Sequence, residues 1–231
     1  MKMTNIENRL SLEECRERIE YLSSFMLEER FATLSRALSM RTDYITVLTE
    51  NMFHEHNASA IVRHCEAFGV QNIHTVENLC PFSPTQNIVL GTDKWIEIHR
   101  HTSTAEALAS LRKEGYRIVA TTPHHKSCTP ESFDVAKGKF ALVFGTEKTG
   151  VTDEVLAEAD EFLQIPMCGM VDSLNVSASA AILIYMLSER MRRECEGWQL
   201  DEERHIRTLY DWCRYAVRES EYLLGRKFLE K

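Results

Sequence analysis

Two tight turns, each directly after an apolar run and directly before a helical pattern, carry the chemical signal of this sequence. Ala141-Leu142-Val143-Phe144 breaks into residues 145–150, and Phe162-Leu163-Gln164-Ile165 breaks into residues 166–169. Both runs read as buried strands, and the Gly and Pro positions end them. In open parallel sheets ligands sit at the carboxyl ends of the strands, where the N–H and C=O groups of such turns are free to bind. Two of them so close in sequence form one compound site. A third turn of the same kind follows Ile45-Thr46-Val47-Leu48: a polar loop over 51–57 leads to Asn57, placed to cap a helix that carries Arg63 and stops at Gly69.

The common nucleotide signatures are absent. Gly145-Thr146-Glu147-Lys148-Thr149-Gly150 resembles half a Walker loop, but Val151 and Thr152 follow the second glycine where Lys and Ser/Thr are needed. No Gly-x-Gly-x-x-Gly follows any strand, which excludes the ordinary dinucleotide fingerprint. Seven cysteines (Cys15, Cys65, Cys80, Cys128, Cys168, Cys195 and Cys213) have no Cys-x-x-Cys spacing and read as reduced thiols. His54, His56, His124 and His125, with Cys128 near the last pair, read as surface histidines rather than metal ligands, and no metal is expected.

The elements that must position these turns follow in order. Ser11-Leu12-Glu13-Glu14 forms a capping box, and Leu12, Cys15, Ile19, Leu22 and Met26 recur at helical spacing behind it. A second helix is expected over 29–40. Arg30, Arg36 and Arg41 lie on or beside it, read first as a solvated face and alternatively as a phosphate-contacting arm. Strands are expected at 45–48, 73–76, 95–98, 117–121, 141–144 and 162–165, and helices at 58–68, 104–114 and from about 175 toward Met191. Residues 80–95 read as a long loop and 122–139 as irregular or a short helical turn. After Gly197-Trp198, residues 201–228 read as one amphipathic tail with Ile206, Leu209, Tyr210, Cys213, Val217, Leu224 and Phe228 on a stripe that must pack on the core or on another subunit.

The chain of 231 residues, 44% hydrophobic, is long enough for a full core. Its apolar runs fall short of the roughly eighteen residues that span a bilayer, and the first residues lack a hydrophobic signal region, so the expected address is the cytoplasm without a membrane partner. The net charge of −8 by itself disfavours nucleic acid. It arises wholly between the two ends: residues 1–41 carry seven positive and seven negative side chains and residues 191–231 nine of each. The pattern is an alternating β/α core with a helical extension on either side.

Three blocks together resemble the SpoU/TrmH methyltransferases. They are Asn57-Ala58-Ser59-Ala60-Ile61-Val62-Arg63 with Ala67-Phe68-Gly69, then Phe144-Gly145-Thr146-Glu147-Lys148-Thr149-Gly150-Val151, then Ile165-Pro166-Met167 through Ser173-Leu174-Asn175-Val176-Ser177. The wording is most similar to the tRNA guanosine 2′-O-methyltransferases of that family. The resemblance implies an α/β SPOUT-type fold with a deep C-terminal trefoil knot, divided as 1–41, 42–195 and 196–231, the outer parts being helical extensions. It implies a homodimer packed through the small face Ser177, Ala178, Ala180 and Ala181, with S-adenosylmethionine as cofactor. The substrate implied is RNA, above all tRNA at the D-loop guanosine 18, and no DNA. Ribosomal RNA, or a knotted RNA-binding protein without catalysis, are the alternatives. Carried over by position, Thr121, Gly145, Ile165 and Leu174 would bind the cofactor, and Asn57, Arg63, Glu147, Ser173 and Asn175 would form the active site. Glu55 stands where family members often have proline.

Overall fold

The computed structural model describes residues 10–123, 127–146 and 148–229. The elements in chain order are α1 (Leu12–Ser23), α2 (Glu28–Ser39), β1 (Ile45–Glu50), α3 (Glu55–Ala67), β2 (Asn72–Val76), α4 (Gln86–Val89), β3 (Glu97–His101), α5 (Thr104–Lys113) and β4 (Arg117–Thr121). Then follow β5 (Phe140–Phe144), α6 (Asp153–Glu158), β6 (Glu161–Leu163), α7 (Val176–Glu194), α8 (Glu202–Ala216) and α9 (Ser220–Leu224), the last running into a π-type turn. No helix among the described residues is long and apolar enough to cross a membrane.

The chain forms two compact units, one from Thr42 to Trp198 and one from the residues up to Arg41 together with those from Gln199 onward. The larger unit is built on a six-stranded sheet in the order β3-β2-β1-β5-β4-β6, each neighbouring pair parallel. Parallel strands need cover on both faces, and β1, β2 and β5 are buried along their whole length. Alternate residues supply opposite faces. Val47, Ile73, Leu142 and Phe144 join Ile61 and Val62 of α3 and Ile184 and Leu187 of α7 in one cluster. Leu48, Val76, Ala141 and Val143 join Ala107 and Leu111 of α5 and Val155 of α6 in another.

Edge strand β3 begins two residues later than its sequence pattern suggests. Gly91, at φ +79°, opens a 3-10 turn over Thr92–Lys94 that uses up the stretch before Trp95. The strand itself, Glu97 to His101, is largely polar because it has only one sheet neighbour, so apolar patterning could not mark it. The expected loop over 80–95 also contains α4.

The smaller unit corrects the reading of the tail. The stripe Ile206, Tyr210, Cys213, Val217 and Leu224 is buried as expected, but its partners are Cys15, Ile19 and Leu22 of α1. The two expected extensions are thus one helical unit, in which the tail's apolar stripe packs on α1. The tail is two helices rather than one. α8 stops at Ala216 because Val217 is extended, Glu219 precedes α9 in a left-handed conformation at φ +56°, and the Ser220 hydroxyl donates to the Arg214 carbonyl at 2.8 Å across the break. At the chain's beginning Ser11 and Glu14 form the expected reciprocal capping box.

Three histidines stack on β2 and β3. His74 is 1% exposed, with ring planes 20° from His99 and 8° from His101, and its Nδ1 lies 3.0 Å from His101 Nε2. Burial first, then the neighbouring His99 and His101, push the His74 pKa from 6.5 down to about 3. Burial also lowers His101, against the pull of Glu106. A lowered histidine pKa means that the unfolded chain takes up a proton which the folded chain refuses. For His74 this part of the stability is complete above about pH 6.5 and is lost as pH falls toward 3, by up to about 1.4 kcal/mol per pH unit. Urea unfolding between pH 7 and 5 should therefore show a shallower loss of stability in His74→Phe than in the parent protein; equal slopes would remove His74 as the acid-sensitive group.

Candidate functional site

The carboxyl ends of β4, β5 and β6 open into a cavity of about 590 Å³, within the range of about 300–1,000 Å³ usual for small-molecule sites. Its walls come from residues 121–123 after β4, the loop after β5, the loop after β6 and the segment entering α7. The two turns singled out in the sequence do converge on one site, because β5 and β6 both flank β4 in the sheet.

The loop after β5 is held by its own backbone. Thr146 and Gly150 exchange N–H···O bonds of 3.0 Å each way, and the Thr149 N–H donates to the Thr146 hydroxyl oxygen at 3.1 Å. Gly150 has φ +70°, and Gly145 has no room for a side chain: a Cβ there would stand 2.0 Å from the carbonyl of Gly150 and 2.1 Å from the nitrogen of Val151. Both glycines are therefore demanded by the loop, one for conformation and one for close approach.

On the adjoining wall the Thr121 hydroxyl donates to the Val143 carbonyl at 2.7 Å, and the Thr122 N–H donates to the Leu163 carbonyl at 3.1 Å. The Thr121 side chain thus ties β4 to β5. Asn175 caps α7: its Oδ1 accepts from the Ser177 N–H at 2.8 Å and from the Ser177 hydroxyl at 2.6 Å. That commitment leaves its amide nitrogen as the group able to act on a ligand.

Thr121, Gly145, Ile165 and Leu174, read from the sequence as cofactor residues, all line this cavity, and so do Ser173 and Asn175. Asn57 and Arg63 do not line it; both lie on α3. Glu147 lies outside the described residues, as do His124 and His125. Asn57 is not a cap. The helix starts at Glu55 with His54 as N-cap, whose carbonyl accepts from the Asn57 and Ala58 N–H groups at 2.9 and 3.1 Å, so Asn57 is the third helical residue and is 6% exposed. Arg63 is exposed, and its guanidinium donates to the Ile88 carbonyl at 2.9 Å.

Glu55, in the place of the family's proline, takes up a structural link of its own. Its Oε2 accepts from the Thr85 hydroxyl at 3.0 Å, while the Thr85 N–H donates to Ser59 Oγ at 2.8 Å. Among the arginines of the expected arm, Arg30 and Arg36 are exposed on α2 and its last turn. Arg41 is not on that surface: it is 2% exposed, with its guanidinium 5.1 Å from the Trp212 ring centre, so it belongs to the interior of the helical unit. Gln164, Lys148 and Asp172 also line the cavity and were passed over in the sequence. They lie inside the two turn-bearing blocks, so position in those blocks was the available signal. No group of three or more His, Cys, Asp and Glu able to hold a metal occurs among the described residues.

Comparison with known proteins decides what kind of cavity this is. The profile of the SpoU rRNA Methylase family matches residues 44–185. The chain belongs to the SpoU methyltransferase family. Enzymes of this family use S-adenosylmethionine. Among its curated members, the tRNA (guanosine(18)-2′-O)-methyltransferase of Borreliella burgdorferi is 33% identical over 206 residues, covering 89% of this chain and 94% of its own. The enzyme of the same name from Thermus thermophilus is 37% identical over 191 residues, covering 81% of this chain and 97% of its own. The crystal structure of the A. aeolicus TrmH/SpoU tRNA modifying enzyme superposes with a TM-score of 0.73 at 30% identity, covering 83% of this chain and 98% of that one.

Gly145→Ala tests the tightness of the SpoU cavity wall. Overpacking of this kind costs about 1–3 kcal/mol, and the added methyl meets backbone rather than a yielding side chain. Urea unfolding of Gly145→Ala should show a loss of about 1–3 kcal/mol while the far-ultraviolet circular dichroism is kept; unchanged stability would show that the loop can relax around the added methyl.

Proposed function

We propose that this SpoU-family chain transfers a methyl group from S-adenosylmethionine to the 2′-hydroxyl of a ribose in tRNA, at guanosine 18 of the D-loop. The observation that supports the reading is that two of the three family blocks wall one cavity, while the third, with Asn57 and Arg63, lies on the helix that follows β1, the strand paired with β5. The relatives of this length bear the tRNA (guanosine(18)-2′-O)-methyltransferase name. The described part of the cavity lining suits the cofactor: backbone of the two loops for the adenosine portion, and Lys148 and Asp172 as charges for the carboxylate and amino groups of the methionyl portion. When bound, the cofactor supplies a methyl group already activated on a sulfonium.

The chain's own residues have then to align the ribose hydroxyl and to help it lose a proton. Arg63 is the cation for the phosphate beside the target ribose. A guanidinium stays protonated, with a reference pKa above about 12, so its part is to hold the phosphate and to stabilise developing charge on the oxygen. Asn57 orients that guanidinium, the Asn175 amide N–H groups are left to donate to phosphate or ribose oxygens, and Ser173 and Glu147 belong to the same active site. Arg63 must exchange its bond to the Ile88 carbonyl for the phosphate, a replacement of a neutral acceptor by a charged one.

The knot and the dimer belong to the same proposal. A C-terminal trefoil knot within 42–195 would lock the loops after β5 and β6 around the cavity. A homodimer would cover α7, on which Ala178 and Tyr185 are exposed. The chain would act in the cytoplasm, where tRNA is matured, and Arg30 and Arg36 would contact the RNA backbone.

The deciding experiment is transfer of labelled methyl to unmodified tRNA and, separately, to ribosomal RNA, with mapping of alkali-resistant positions. Label at one D-loop ribose supports the proposal; label on ribosomal RNA alone changes the substrate, and none on either points to an RNA-binding protein without catalysis. Arg63→Ala should lower turnover by about 100-fold or more while leaving S-adenosylmethionine affinity within about twofold. An active Arg63→Ala protein would overturn its assignment. Replacing Arg30 and Arg36 by Ala should flatten the salt dependence of tRNA binding, by up to about 0.9 in log–log slope for each phosphate no longer neutralised; an unchanged slope would return both to the solvated face.

A further inference from the structure

Glu50 ends β1 and is 0% exposed, the deepest acidic side chain of the sheet unit. Burying a carboxyl group is costly unless its oxygens are hydrogen-bonded, and those of Glu50 accept three bonds from two other segments. The Thr104 hydroxyl donates to Oε1 at 2.6 Å. The Thr152 hydroxyl donates to Oε1 and the Thr152 N–H to Oε2, each at 2.9 Å. Thr104 opens α5, and Thr152 is the N-cap of α6, its hydroxyl oxygen also accepting from the Val155 N–H at 3.4 Å.

The place of Thr152 in the chain gives these bonds their meaning. The cavity-lining loop leaves the sheet at Phe144, and the β1–β5 register sets Phe144 opposite Thr49, one residue before Glu50. The loop is gripped at its entry by the packing of Gly145 on Gly150 and Val151. It ends at Val151, and Thr152 is the next residue. Glu50 therefore grips the exit of the loop beside the strand from which the loop departs. An apolar residue could fill the same space, but it could not fix the direction of the Thr152 N–H.

We propose that Glu50 is a positioning residue for S-adenosylmethionine, acting through Thr152 to hold the exit of the loop after β5, at Gly150 and Val151, in its binding shape. The inference rests on the proposed methyl transfer and goes beyond it, since Glu50 belongs to none of the three family blocks and does not line the cavity.

The test compares Glu50→Leu, Glu50→Gln, Thr152→Val and Thr104→Val in full-length protein, with KM for S-adenosylmethionine, KM for tRNA, turnover and thermal midpoint measured for each. Glu50→Leu should raise KM for S-adenosylmethionine by about tenfold or more, as expected for bonds to a charged group, with KM for tRNA unchanged. Glu50→Gln, whose amide oxygen still accepts from the Thr152 N–H, should recover most of that loss. Should Glu50→Leu fail to fold, the threonine pair decides: Thr152→Val should raise KM for the cofactor and Thr104→Val should not. Equal effects of the two threonine variants would overturn the inference, as would a Glu50→Leu protein that loses turnover only in proportion to its folded fraction. Wild-type protein that binds no S-adenosylmethionine would instead overturn the proposed function itself; wild-type binding with an unaffected Glu50→Leu overturns this inference alone.

Discussion

The parallel pairing of β1 with β5 in the middle of the sheet is the constraint on which the site depends. Residues Ile45 to Thr49 pair with Phe140 to Phe144 in register, so two loops far apart in sequence leave the sheet side by side. At that point the direction of winding changes: β2 and β3 are added on one side of β1, and β4 and β6 on the far side of β5. Connections diverge there, and the backbone groups of the departing loops have no strand to pair with. The cavity lies on the β4 side of this point, walled by the segments that follow β4, β5 and β6.

The same pairing bears on the polar groups near the site. A parallel sheet covered on both faces offers little water, so partners from within the fold stabilise them. Thr121 bonds to Val143 across β4 and β5. Glu50 collects Thr104 and Thr152. Gly145 permits the loop to close on itself where any Cβ would collide. The cavity is shaped by these bonds and contacts, while the apolar clusters on the two sheet faces hold the strands that carry them.

Much of the fold was legible in the sequence. Fully buried strands such as β1 and β5 stand out because both faces need apolar residues, and the capping box at Ser11 announces α1 by its own hydrogen-bond chemistry. Edge strand β3 was displaced because an edge tolerates polar residues, and there the histidine stack, invisible in composition, takes the place of an apolar pattern. The start of α3 was misplaced because Asn57 looks like a cap in isolation. In the structure Glu55 and His56 already belong to the helix, and His54 precedes them as the cap.

By itself the sequence determined the element types, the amphipathic stripe of the tail, the two turns that wall the cavity and the family blocks that mark the chemistry, because each is a local pattern set by neighbours a few residues apart. Tertiary structure alone decided which of those patterns meet. It brought Cys15, Ile19 and Leu22 to the tail's stripe and so made one helical unit of the two chain ends. It turned Arg41 inward onto Trp212. It also set Glu50 against Thr152, 102 residues further along the chain. Such pairings depend on closing long loops and on desolvating both partners together, and neither can be read from one partner's neighbours in sequence.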